Sequence, residues 1–94
     1  MYDNYKLVKL LAEVGDDAPC VVFARVRSVS ADEAVRAYQM SAKAKYQLTV
    51  NSLEYGKQMY VEIDGEVYAV YRTYDASADK VELYVEDKLG VYNG

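Results

Sequence analysis

The pair Asp64-Gly65 sits between two runs that alternate strictly, and no other feature limits the fold as much. Before it, Met59, Val61 and Ile63 alternate with Tyr60 and Glu62; after it, Val67, Ala69 and Tyr71 alternate with Tyr68, Val70 and Arg72. An Asp-Gly pair in that setting predicts a two-residue type I′ hairpin, because both central residues of that turn need positive φ. A period of two on either side means two antiparallel strands, each with one face to bury.

The rest of the chain extends this pattern. Residues 75–79 (Asp-Ala-Ser-Ala-Asp) read as a turn, after which Val81, Leu83 and Val85 alternate with Glu82, Tyr84 and Glu86. The expectation is therefore a meander of three antiparallel strands at the C-terminal end. Further upstream, Val22, Ala24 and Val26 alternate with Phe23, Arg25 and Arg27 in the segment Cys20 to Ser28, and Tyr46, Leu48 and Val50 with Gln47, Thr49 and Asn51. Both read as strands, and Ser52 to Gln58 reads as a connection. The segment Tyr5 to Val14 is ambiguous: Leu7, Leu10, Leu11 and Val14 fit a helix, while Leu7, Lys9 and Leu11 fit one side of a strand, and periodicity slightly prefers helix.

One stretch departs from the strand pattern. Ser30-Ala31-Asp32-Glu33 has the form of a capping box, so a helix is expected from Ser30 toward Lys43 and Lys45. Its apolar stripe, Ala31, Ala34, Val35, Tyr38 and Ala42, is shallow, which makes it a candidate mobile element. The fold class is then mainly β with an α component (α+β). It is a small antiparallel β-barrel or a strongly curved sheet, with one helix inserted between the second and third strands.

Ninety-four residues support one domain, residues 1–94, with a thin stability margin that association would improve. Eleven tyrosines supply much of the 52% apolar content, and their amphipathic rings suit half-buried strand faces and interfaces. Fifteen acidic against eleven basic residues leave a net charge of -4, which argues against tight wrapping of nucleic acid and leaves room for passing contact with DNA. No apolar run is long enough to cross a membrane and the first residues do not read as a signal peptide, so the expectation is a cytoplasmic product without membrane contact.

Histidine is absent, which removes Ser-His and Cys-His catalysis. The single cysteine, Cys20, reads as a small buried hydrophobe. Glu62, Asp64, Glu66, Glu82 and Glu86 fall two or four residues apart on strand faces, where a solvated surface is their ordinary explanation. No phosphate-cradling glycine loop is present. The expectation is no catalytic residue, no cofactor and no metal: this is not an enzyme. Arg25 and Arg27 share one strand face, either solvated with salt bridges or used as a contact surface.

The stretch Tyr-Val-Glu-Ile-Asp-Gly-Glu-Val-Tyr-Ala-Val-Tyr-Arg-Thr-Tyr at 60–74, with Lys-Val-Glu-Leu-Tyr-Val-Glu-Asp-Lys-Leu-Gly-Val at 80–91, resembles the head-tail joining proteins of long-tailed bacteriophages and prophages, also called head-closure, head-completion or stopper proteins. The likeness extends back through residues 22–29 and into 46–55, and is weak over the first twenty residues. It implies a small β-barrel in which Tyr5 to Val14 is a strand, and a virion protein made in the host bacterial cytoplasm. It further implies a homo-oligomeric ring, a dodecamer, docked to portal or adaptor and tail proteins, and leaves open whether the isolated subunit is a monomer. The inserted segment would be channel-facing or mobile and would carry Ser30, Glu33, Arg36, Tyr38, Lys43 and Lys45. The interface candidates are Arg25, Arg27, Tyr71, Arg72 and Tyr74. The alternative function is a small nucleic-acid-binding barrel, with strand tyrosines stacking on bases.

Overall fold

In the computed structural model, which describes residues 4–29 and 44–87, six strands close on themselves. They are β1 (Asn4–Leu11), β2 (Cys20–Ser28), β3 (Ala44–Asn51), β4 (Tyr60–Ile63), β5 (Glu66–Ser77) and β6 (Lys80–Asp87), with one 3₁₀ turn at Ser52–Glu54. Every neighbouring pair is antiparallel, and the order around the barrel is β1-β2-β3-β6-β5-β4, with β4 returning to β1. Closure leaves no open sheet edge around the part of the wall that all six strands share.

Alternation decides the inside. Val8 and Leu10 of β1, Val22, Ala24 and Val26 of β2, Leu48 and Val50 of β3, Val61 and Ile63 of β4, and Val81, Leu83 and Val85 of β6 form one buried cluster. Tyr68 and Val70 of β5, with Tyr46 and Tyr55, pack against it. Each strand gives only every second residue to this core, as the pleat requires.

The hairpin forms as its turn chemistry predicts. Asp64 has φ +52° and Gly65 φ +86°, and Ile63 pairs with Glu66 across the turn. The three-strand meander β4-β5-β6 is also present.

The segment Tyr5 to Val14 is a strand as far as Leu11 (Asn4–Leu11), as the family resemblance implied, and not the helix that periodicity slightly preferred, and Ala12 to Val14 already belong to the turn that follows. Helical spacing of Leu7, Leu10, Leu11 and Val14 loses because β2 and β4 both offer β1 a hydrogen-bonding partner. The strand face read from the sequence also needs correction. Val8 and Leu10 turn inward, while Leu7 and Lys9 are exposed.

Three smaller differences come from tertiary pairing. β3 begins at Ala44, so Lys45 belongs to a strand and not to the end of an inserted helix, and β5 runs on to Ser77, shortening the expected turn to Ala78-Asp79. The β5-β6 register shifts between Val70 and Arg72, which inserts Tyr71 as an extra residue. This bulge breaks the alternation expected for β5, and Arg72 comes out opposite Tyr84 instead of following Tyr68 and Val70 inward. Cys20 is half-buried against the core edge, its Sγ 3.9 Å from the Glu54 carbonyl oxygen. The helix expected from Ser30 lies outside the described residues.

Candidate contact surfaces

The pairing registers order the outer wall into rows. One row runs Tyr5, Arg25, Thr49, Glu82 and Tyr74 across β1, β2, β3, β6 and β5. The next runs Arg27, Gln47, Tyr84 and Arg72 across β2, β3, β6 and β5. Arg25 and Arg27 on β2 and Arg72 and Tyr74 on β5 therefore belong to the same two rows, three strand spacings apart, roughly 14 Å along the wall. The fold joins these four of the five interface candidates through strands that sequence reasoning did not link to them.

Polar contacts hold the rows in place. Arg27 Nε donates to Gln47 Oε1 at 2.8 Å, and Gln47 Nε2 donates to Thr49 Oγ1 at 3.1 Å. Gln47 is 6% exposed, so these bonds satisfy an amide that would otherwise be stranded. At the other end, Arg72 Nε donates to Tyr74 Oη at 3.1 Å, and its guanidinium carbon lies 5.4 Å from the Tyr74 ring centroid.

Tyr71, the fifth candidate, is an anchor and not an exposed contact. With Tyr74 it packs on Tyr84 and Val29 in a second apolar cluster outside the barrel. Tyr84 is 1% exposed and meets Tyr74 edge to face at 5.9 Å. Its hydroxyl donates to Glu82 Oε1 at 3.3 Å. The Tyr71 hydroxyl is buried without a hydrogen-bond partner among the described residues, and burial, ahead of the nearby Glu86 charge, pushes its pKa up.

The outer face of β1 and β2 is built differently. Tyr5 and Phe23 stack at 5.9 Å with 17° between ring planes, and Leu7 pairs with Phe23 across the strands. Tyr5, Leu7, Val21 and Phe23 are between 55% and 64% exposed. Sequence reasoning passed over this patch. Its signal was the unbroken apolar run Val21-Val22-Phe23-Ala24, since a strand apolar on both faces needs cover on both.

The ends of the barrel also differ. Asp64-Gly65 sits at the rim where β2 ends and β3 begins, and there Lys6 Nζ meets Asp64 Oδ2 at 2.8 Å and Lys45 Nζ meets Asp87 Oδ2 at 3.8 Å. Of the segment candidates, only Lys45 is among the described residues; Ser30, Glu33, Arg36, Tyr38 and Lys43 lie outside them. Near this rim Tyr46 and Tyr68 meet edge to face at 5.3 Å, and the Tyr68 pKa is pushed up to about 12, first by burial and then by Tyr46, Glu66 and Asp87. At the opposite rim Asp16 closes the β1-β2 connection by accepting from the backbone N–H groups of Ala12 and Ala18, both at 2.9 Å, and these bonds lower its pKa.

An open cleft of about 510 Å³ lies where β5 runs past β4, lined by Tyr55, Lys57, Met59, Tyr71, Arg72 and Asp75 among others. Asp75 is its sole carboxylate among the described residues, so it does not gather paired acids. Glu62 lies 4.0 Å from Lys9, and Glu82 lines a separate open cleft beside Arg25 and Lys80. No three His, Cys, Asp or Glu side chains among the described residues group to hold a metal ion, and no described helix is long and apolar enough to cross a membrane.

No protein-family model, curated protein or solved structure matches this chain.

Proposed function

We propose that this chain is a structural subunit of a bacteriophage or prophage particle. In this reading it forms a homo-oligomeric ring below the portal and adaptor, closes the DNA channel and offers a surface to the tail. The observation that carries it is the small closed barrel whose inside is filled by its own aliphatic side chains while Tyr5, Leu7, Val21 and Phe23 stand exposed outside. A filled barrel offers its outer wall for work, and an exposed apolar patch on it is a contact surface in need of a partner.

The sequence resemblance gives that contact its setting. Its most specific stretch, residues 60–74 with 80–91, falls largely on the contiguous β4-β5-β6 meander. The reading assigns the helix expected from Ser30 to the channel, and packaged DNA makes only passing contact. The particle is the site of action and the host bacterial cytoplasm the site of synthesis. Electron microscopy of the protein mixed with portal complexes tests this: ring-shaped density on the portal is the expected result, and portals that stay bare at saturating protein reject it.

A second reading, a small nucleic-acid-binding barrel, has one observation in its favour. The stacked, exposed Tyr5 and Phe23 lie next to Arg25, which pairs with Tyr5 across the strands. Aromatic faces beside a cation suit single-stranded nucleic acid. Salt-dependent binding of a single-stranded oligonucleotide that Phe23→Ala abolishes would favour it, and absence of binding at low salt would remove it.

A further inference from the structure

Charge is not distributed evenly around the wall. β1 and β2 carry Lys6, Lys9, Arg25 and Arg27 and no carboxylate. β5 and β6 carry Glu66, Asp75, Glu82, Glu86 and Asp87 against Arg72 and Lys80. In the closed order β3 separates β2 from β6, and β4 separates β5 from β1, so the basic pair and the acidic pair are not neighbours in the wall, and they approach each other across β3, where Arg25 and Glu82 line one cleft. The exposed apolar patch is on the basic side.

We infer that the outer face of β1 and β2 docks on the outer β5-β6 side of a second copy of this chain, head to tail. This rests on the reading that the chain assembles with copies of itself, and it names the surfaces. Two copies meeting patch to patch would bring Lys9 and Arg25 against their own counterparts, and like charges brought together in an interface repel. Head-to-tail docking brings the same cations to Glu82 and Glu86, which face outward with Tyr74 and Ala69 beside them in the pairing rows. The cis contacts of these cations do not compete strongly, because Lys6-Asp64 and Lys9-Glu62 are surface pairs and Arg25, which also has an in-chain contact, is exposed.

Tyr5, Leu7, Val21 and Phe23, each more than half exposed, form an apolar patch of the kind that marks a contact surface. Single-stranded nucleic acid fits less well, because Leu7 and Val21 occupy positions that a stacking platform would fill with rings. A contact that uses different faces on the two partners repeats, and closes into a ring when the rotation allows.

Sedimentation of the full chain at low ionic strength, from micromolar to millimolar, tests the inference. Wild type associates reversibly. Lys9→Glu with Arg25→Glu weakens association at least tenfold, as does Glu82→Lys with Glu86→Lys, while circular dichroism shows both still folded. An equimolar mixture of the two reversed variants regains association, because each supplies the face the other needs. Phe23→Ser, a change at an exposed side chain, also weakens self-association at least tenfold and gives a variant independent of the charges. The inference is overturned by a wild type that stays monomeric throughout, by a mixture that fails to recover, or by Phe23→Ser associating as wild type does. A monomeric wild type that still forms rings on portal complexes overturns these surfaces and leaves the assembly reading intact. A monomeric wild type that binds an oligonucleotide through Phe23 overturns them in favour of nucleic acid.

Discussion

The β1-β2 pair and the β5-β6 pair give the barrel the same kind of inner surface and opposite kinds of outer surface. Inside, Leu10 and Leu83 are 1% and 0% exposed and belong to one cluster. Outside, β1 and β2 present exposed apolar side chains among cations, whereas β5 and β6 fold Tyr71, Tyr74 and Tyr84 down on Val29 and present carboxylates. The inner faces must satisfy the same solvent-exclusion demand and so converge. The outer faces answer to whatever meets them, and they diverge.

The largest expected effect tests the shared interior. Leu10→Ala and Leu83→Ala should each cost about 3 kcal/mol in urea denaturation, because each leaves a cavity in the same closed core. A difference of more than about 2 kcal/mol between them would mean that the two sides are not held by one core. Truncating the outer aromatics should separate the sides. Tyr84→Ala, at a position buried outside the barrel, is expected to cost about 2 kcal/mol, and Phe23→Ala no more than about 0.5 kcal/mol in the same measurement. Equal losses would erase the contrast between a covered face and an open one.

The turns sharpen the comparison at smaller scale. Gly65→Ala places a Cβ where φ is +86°, and although nothing within 4 Å obstructs it, the backbone preference alone should cost about 1 kcal/mol. Thermal denaturation would detect that shift.

Response to pH should also divide the two sides. Tyr68 on β5 has its pKa raised from 10.0 to about 12, so its contribution is complete below pH 10 and is lost as pH rises to about 12. Asp16, in the β1-β2 connection, has its pKa lowered, so its contribution is present above pH 3.8 and is lost as pH falls below that value through the folded pKa. Amide shifts of Ala12 and Ala18 titrating below pH 3.8, and Tyr68 ring signals titrating well above pH 10, are the expected NMR results. This is the smallest effect on overall stability, since Asp16 is only half-buried and its bonds close one loop.

Local rules carried much of this fold. Asp64-Gly65 dictated its turn through backbone conformation, and the alternations of β2, β3, β4 and β6 separated the two strand faces, because the pleat leaves no freedom in that choice, although Met59, grouped with Val61 and Ile63, is exposed. The Arg25-Arg27 pairing on one face followed from the same rule. Where local rules gave way, a partner strand was responsible. β1 became a strand because β2 and β4 flank it, and Tyr71 became a bulge because β6 fixed the register on either side of it.

By itself, then, the chain determined which residues turn, which strands exist from β2 onward and which side chains point inward, all consequences of φ, ψ and a period of two. Only the tertiary structure decided that the sheet closes, that Arg25 and Tyr74 share a row, that Arg72 faces out, and that the strand pair without carboxylates and the strand pair richest in them are not neighbours. Those facts depend on strand order and register, which are set by pairings between residues far apart in the sequence and are not encoded in any one segment.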